Sequence, residues 1–249
     1  RQVNNWHSIP VDPQDFNLFS TLNSGQAFRW IFNSTLNEWH GVINGHLWRL
    51  RQMEDSNPVE YYFEKNLGIK LSDVPFDLRD YFRLDMNLSD LVKEWSLKDE
   101  WFENRFSKNC QMDTARGLRL LRQDPEETLF SFITSANNNL TRITKLLYFN
   151  LSFICKLILS RTSALVEEPF KVADCICLMS LDKLNVVPID VHMHRVAREK
   201  GIPEASCKNM TTKSYDIISK SLSDFWGNYS GWAQTILFYT RMMESKPNK

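Results

Sequence analysis

The sequence predicts an α+β protein: a twisted antiparallel β-sheet at the N-terminal end, followed by an all-helical remainder. Three observations predict it. Aromatic and β-branched residues recur in short runs up to Phe63. The turn dipeptide Asn44-Gly45 separates two of those runs. From Asp77 onward, apolar residues recur at helical spacing. Residues 1–76 are therefore assigned to the sheet and 77–249 to the helices, with the N-terminal unit able to extend through helices to about residue 123.

The elements follow in order. Phe28-Arg-Trp-Ile-Phe32 and Glu38-Trp-His-Gly-Val-Ile43 flank a polar turn and read as paired strands. Asn44-Gly45, placed before His46-Leu-Trp-Arg-Leu50, signals a type I′ hairpin, because both turn residues need positive φ. Val59-Glu-Tyr-Tyr-Phe63 adds a strand to this meander, whose buried face carries several tryptophans. Ser89–Trp95 and Asp99–Phe106 read as short amphipathic helices. The next helix starts with Asp124 as N-cap, Pro125 at the first helical position and Glu126 and Glu127 at the positive end of the dipole. It runs through Leu129–Ile133 and stops near Asn137-Asn-Asn139, and another helix begins near Leu140. Two helices then carry the most distinctive motifs, the second closed by Gly201 as a C′ glycine. Ser214–Trp226 and Gly231–Met243 form the last pair.

Composition narrows the class. Hydrophobic content of 43% and charged content of 24% are those of an ordinary globular chain. The net charge is zero but unevenly spread: 15 Lys/Arg against 20 Asp/Glu in residues 1–138, and 15 against 10 in residues 139–249. A basic half suggests an anionic partner, nucleic acid first, although solvated faces alone can produce the same imbalance. Five cysteines without CxxC spacing suit a reducing compartment. The longest apolar run, Leu146 to Leu159, is interrupted and shorter than the roughly 20 residues of a membrane span. No signal peptide is read. The chain opens with Arg1, so a native N-terminus and its targeting information are expected to lie upstream.

Two motifs carry chemistry. Lys171-Val-Ala-Asp-Cys-Ile-Cys-Leu-Met179 puts a lysine at the head of an apolar helix. A lysine in apolar surroundings gives up its proton more readily, and the neutral amine is a nucleophile. The plain alternative is a solvated lysine in a first turn. Cys175 lies one turn further on the same face, to pair with the amine or simply to pack. Val187-Pro-Ile-Asp190-Val-His-Met-His194 puts an aspartate before the next helix. An N-cap is its plain role, and a capping carboxylate held in one rotamer also suits acid/base work. His192 and His194 point to different faces, which argues against a metal site. Asn137-Asn-Asn139 with Arg142 reads either as a turn-rich loop or as a base-edge and phosphate contact. Ser24-Gly25-Gln26 is a plain turn or a place where backbone approaches a ligand closely.

These blocks, together with Leu121–Asn139, Ser24-Gly-Gln-Ala-Phe-Arg-Trp30 and Trp226-Gly-Asn-Tyr-Ser-Gly-Trp-Ala-Gln234, closely resemble the eukaryotic 8-oxoguanine DNA glycosylases. The likeness covers residues 1–148 and 171–249. It implies a helix-hairpin-helix glycosylase domain behind the sheet, and base-excision repair by a glycosylase that also nicks the abasic product. It implies Lys171 as Schiff-base nucleophile and Asp190 as catalytic carboxylate. Gly25 would read the lesion through its carbonyl, Phe238 and Cys175 would sandwich the flipped base, and Gln234 would bind its pairing edge. Asn137 and Arg142 would contact the orphaned cytosine, and His192 would sit near a phosphate. The resemblance further implies duplex DNA with oxidised guanine opposite cytosine as partner, no cofactor, no metal, no membrane, a monomer, and a nuclear location shared with mitochondria.

The chain also departs from that pattern. The family places a glycine-rich hairpin directly before the lysine, whereas here Val166-Glu-Glu-Pro-Phe170 stands there, and no glycine occurs between Gly117 and Gly201. Such a hairpin offers backbone N–H groups to phosphate; Pro169 has none to offer, and Glu167 and Glu168 repel it. Residues 149–170 are therefore read as aberrant, and impaired activity follows as an expectation. A catalytically inactive DNA-binding or interaction variant is the alternative, and a related glycosylase for another damaged base is a third reading.

Overall fold

Backbone pairing in the first 63 residues is antiparallel throughout, in the strand order β1-β5-β4-β3-β2. The strands are β1 (His7–Pro10), β2 (Ile31–Asn33), β3 (Glu38–Ile43), β4 (His46–Arg51) and β5 (Pro58–Phe63). The structure, a computed structural model, describes residues 6–53, 58–63, 74–108, 115–135, 169–206 and 210–244. The β3–β4 hairpin turns at Asn44 and Gly45, both with positive φ, and pairs Ile43 with His46. The strand at 59–63 is present, and β1 pairs with it to close the sheet edge. Neither β1 nor the short helix α1 (Leu18–Leu22) is legible from periodicity.

The expected strand at Phe28–Phe32 is corrected to Ile31–Asn33. The preceding run leaves the ladder because its large residues serve two cores. Phe28 packs into the helical core, while Trp30 packs into the sheet core with Trp39 and Trp48. Trp30 lies so close to β3 that a Cβ on Gly41 would come within 2.3 Å of its indole. Only a glycine lets that ring settle there.

The described helices that follow are α2 (Val74–Tyr81), α3 (Leu88–Lys98), α4 (Glu100–Lys108), α5 (Pro125–Ser135), α6 (Pro169–Ser180), α7 (Val191–Glu199), α8 (Thr212–Trp226) and α9 (Ser230–Glu244). Their starts follow local chemistry. Asn87 caps α3, the Glu127 amide donates to the Asp124 carboxylate at 2.9 Å, and Thr211 forms a capping box with Ser214. Gly201 (φ +76°) closes α7 in a Schellman arrangement: its N–H donates to the Arg198 carbonyl, and that of Ile202 to Ala197. Asn137–Asn139 and the helix start expected near Leu140 lie outside the described residues.

Buried side chains lock the two cores together. Arg119 donates to the carbonyls of Asp15, Phe82, Arg83 and Met86, and its guanidinium stacks over Trp232 at 4.8 Å. Burial lowers its pKa to about 10. The carbonyl dipoles supply the partners that a buried cation needs. Lys200, the C-cap of α7, pairs with buried Asp99 at 2.6 Å, and Trp226 Nε1 donates to the same carboxylate at 2.8 Å. That junction fixes the far end of α7, whose near end enters the functional site.

Candidate active site

A cavity of about 310 Å³ opens between the loop after α1 and helices α5, α6, α7 and α9. Gly25, Lys171, Cys175, Asp190, His192, Gln234 and Phe238 all line it. Ser24, Gln26, Phe28, Phe132, Met179 and Pro188 complete much of the wall. Such a volume lies near the lower end of the range of about 300–1,000 Å³ typical of small-ligand sites.

The helical wall carries the ionisable groups. Lys171 stands in the first turn of α6, half-buried, with Cys175 one turn later and 7% exposed. Both face the cavity, as i, i+4 spacing requires. Asp190 caps α7: its carboxylate accepts the Met193 N–H at 2.8 Å. Burial pushes its pKa up from the ordinary aspartate value. The Met193 amide and the charges of His192 and Lys171 pull the other way. Lys171 and Asp190 therefore open onto one space, near enough for the lysine's charge to bear on the carboxyl.

Aromatic and amide groups form the remaining walls. Phe238 on α9 meets the His192 ring edge-on, with centroids 5.6 Å apart. Gly25 sits beside it with φ +79°, and a Cβ at that position would lie 3.8 Å from the Phe238 ring. Gln234 is buried, and the Thr235 hydroxyl donates weakly to its Oε1 at 3.4 Å.

Gln26 holds the Gly25 turn in place. Its side-chain amide donates to Ser24 Oγ at 2.8 Å and to the Arg119 carbonyl at 2.9 Å. Its Oε1 accepts the Leu121 N–H at 3.0 Å, and its own carbonyl accepts from Gln123 Nε2 at 2.9 Å. This bracing role of Gln26 has no sequence signal beyond its place beside Gly25. Phe28, Phe132 and Met179 were also missed as cavity residues, because apolar wall and apolar core look alike in sequence.

Asn137 and Arg142 lie outside the described residues, as does the segment before Pro169. Pro169 itself opens α6, the helical position at which a missing N–H costs least. Among the described residues, no three His, Cys, Asp or Glu side chains gather to hold a metal. No helix of the described residues is long and apolar enough to cross a membrane.

Known proteins share this architecture. The family model described as 8-oxoguanine DNA glycosylase, N-terminal domain, matches residues 8–129. The chain is 26% identical over 306 aligned positions to "N-glycosylase/DNA lyase OGG1" of Arabidopsis thaliana, covering 97% of this chain and 81% of that protein. It is 26% identical over 326 positions to the N-glycosylase/DNA lyase of Saccharomyces cerevisiae, covering 92% of this chain and 84% of that one. Both alignments are longer than the chain, so these relatives carry segments that it lacks.

Among solved structures, MBOgg1 in complex with a low-affinity DNA ligand superposes with a TM-score of 0.70 at 22% identity, covering 97% and 100% of the two chains. The Clostridium acetobutylicum 8-oxoguanine glycosylase/lyase, in complex with dsDNA containing cytosine opposite 8-oxoG, gives 0.65 at 20%, covering 94% of each. At such identities the superpositions speak for the fold. A 3-methyladenine DNA-glycosylase from Archaeoglobus fulgidus shares it as well, with a TM-score of 0.64 at 12% identity. The N-terminal match, likeness over nearly the whole chain to two N-glycosylase/DNA lyases, and the common fold agree: the chain carries the N-terminal domain of the 8-oxoguanine DNA glycosylases and is similar to N-glycosylase/DNA lyases over nearly its whole length.

Proposed function

We propose that the chain removes 8-oxoguanine from duplex DNA, opposite cytosine, and then cleaves the abasic site as a lyase. One observation carries the reading: Lys171 and Asp190 open onto one cavity that Gly25, Cys175, Gln234 and Phe238 also line. The target nucleotide must leave the stack to reach such a cavity, at a cost of a few kcal/mol. Stacking on Phe238 returns about 1–3 kcal/mol of that.

The Lys171 amine attacks C1′ of the extruded nucleotide. The C1′–N bond breaks, and the base departs with the bonding electrons and takes up a proton. One amine proton is then lost, and the sugar ring opens as O4′ takes up a proton, leaving a protonated imine between Lys171 and C1′. Asp190 stabilises positive charge as it develops on the sugar and accepts the proton from the amine. Loss of a C2′ proton then expels the 3′ phosphate, which is the lyase step.

Recognition falls to Gly25 and Gln234. The oxidised base carries an N–H at N7, where guanine has a lone pair. A carbonyl at Gly25 accepts that hydrogen and faces repulsion from guanine. An unmet buried partner costs about 1–3 kcal/mol, so this contact supplies only part of the discrimination. Gln234 takes the pairing edge, and His192 a flanking phosphate. Asn137 and Arg142 take the orphaned cytosine. A monomer in the nucleus, with a mitochondrial share, completes the proposal; imaging of the tagged protein and its sedimentation test those two parts.

Base release from duplexes carrying 8-oxoguanine, guanine or an alkylated purine opposite cytosine tests the substrate. Release of the oxidised base alone is expected, and preference for the alkylated base would move the assignment to a neighbouring glycosylase class. The absence of glycine between Gly117 and Gly201 favours a second reading, an inactive DNA-binding variant. Binding of the lesion duplex without any base release would establish it.

A further inference from the structure

Three hydroxyls lie on one face of α8 at i, i+4 and i+8: Tyr215, Ser219 and Ser223. Each bonds to the backbone of the loop that leads into Asp190. Ser223 Oγ donates to the Asn185 carbonyl at 2.9 Å, and Ser219 Oγ to the Val187 carbonyl at 2.8 Å. The Tyr215 hydroxyl accepts the Ile189 N–H at 3.2 Å.

Tyr215 alone of the three also reaches α6. Its hydroxyl donates to Asp174 Oδ2 at 2.6 Å, three residues after Lys171. Its ring lies 5.9 Å from that of Phe170, the residue just before Lys171. Tyr215 thus touches the chain on both sides of Lys171 and immediately before Asp190, yet does not line the cavity. Burial above all, and then Asp174, raises its phenol pKa far above the ordinary range, so the hydroxyl stays protonated and keeps donating. Burial likewise raises the Asp174 carboxyl, and the Tyr215 bond lowers it.

We propose that Tyr215 is a positioning residue: anchored by Asp174, it sets the separation between the Lys171 amine and the Asp190 carboxylate. The proposal rests on reading those two as the reacting pair. Misplacement by about 1 Å, far from the chemistry, can cost up to about a hundredfold in rate. A bridge between the two backbone segments is where such an error would arise.

Tyr215→Phe keeps the ring and its contact with Phe170 and removes both hydroxyl bonds. Single-turnover release of 8-oxoguanine from a duplex pairing it with cytosine is expected to slow on the order of tenfold, while affinity for a duplex with a tetrahydrofuran abasic analogue stays within about twofold. Asp174→Asn retains an acceptor and should restore most of the rate. Asp174→Ala should match Tyr215→Phe, and the double variant should lose no more than either alone. Asp174→Ala also reads the bridge if the tyrosine variant does not fold. Equal losses in rate and affinity, or full additivity in the double variant, overturn the proposal. A wild-type rate in Tyr215→Phe overturns it and leaves the Lys171 reading standing. A wild-type protein that releases no base overturns that reading, and this inference with it.

Discussion

The two walls of the cavity are held by different chemistry. The wall at Ser24–Gln26 is fixed by neutral amides: Gln26 bonds to Ser24, Arg119 and Leu121, and Gln123 bonds back to it. The wall at Lys171 and Asp190 is fixed by helix termini and hydroxyls, and it carries ionisable groups. The first is suited to reading a base and is indifferent to pH. The second is suited to moving protons, and its performance follows pH. The contrast says which variants should change selectivity and which should change rate.

Asp190→Asn should give the largest effect and sharpen the contrast most. Asparagine caps a helix about as well as aspartate, so the melting temperature should barely move. Loss of the carboxylate should slow base release by about 10²–10⁴-fold, the usual worth of general acid–base catalysis. An unchanged rate of base release in this variant would instead reduce Asp190 to a cap.

Gly231→Ala comes next and strikes the helical wall from behind. A Cβ there would lie 2.3 Å from Leu178 Cδ1 and 2.4 Å from the Val186 carbonyl, both on the path to Asp190. Destabilisation of about 1–3 kcal/mol is expected from urea unfolding, because backbone cannot yield as a flexible side chain can. Gln26→Ala should cost about 1–3 kcal/mol by leaving the buried Leu121 N–H and Arg119 carbonyl unpaired. Unlike the helical-wall variants, it should also narrow the preference for 8-oxoguanine over guanine, measured by competition in base release.

The mildest test is pH. Burial raises the Asp190 pKa above the ordinary 3.8, so the ionised carboxylate is disfavoured in the fold. Its contribution to stability is fully present below 3.8 and is lost as pH rises through the raised value. The proposed mechanism needs the ionised form, so base release is expected to fail on acidification through that same value. The acid limb of the rate profile should lie above 3.8 and be absent from the residual rate of Asp190→Asn. Gln26→Ala should leave the limb where it is.

Legibility in the sequence followed the range of the interactions. The Asn44-Gly45 hairpin, the Asp124-Pro125 helix start, the Asp190 cap and the Gly201 stop are settled within four or five residues, and all appear where expected. Strand β1 exists only through pairing with residues more than 45 positions away, so no local pattern announces it. Phe28 and Trp30 read as a strand because alternation cannot reveal that the two rings enter different cores. The motifs holding Gly25, Lys171, Cys175, Asp190, His192, Gln234 and Phe238 converge on one cavity. What supports them was silent. Gln26 acts through partners near residue 120, and Tyr215 through partners 26 and 41 residues away.

Reduction of the reaction mixture with borohydride is the most direct test of the amine's role. With a duplex carrying 8-oxoguanine opposite cytosine, a stable protein–DNA adduct should form, peptide mapping should place it on residue 171, and Lys171→Gln should abolish it. Base release without any adduct, or an adduct that persists in Lys171→Gln, would contradict the account.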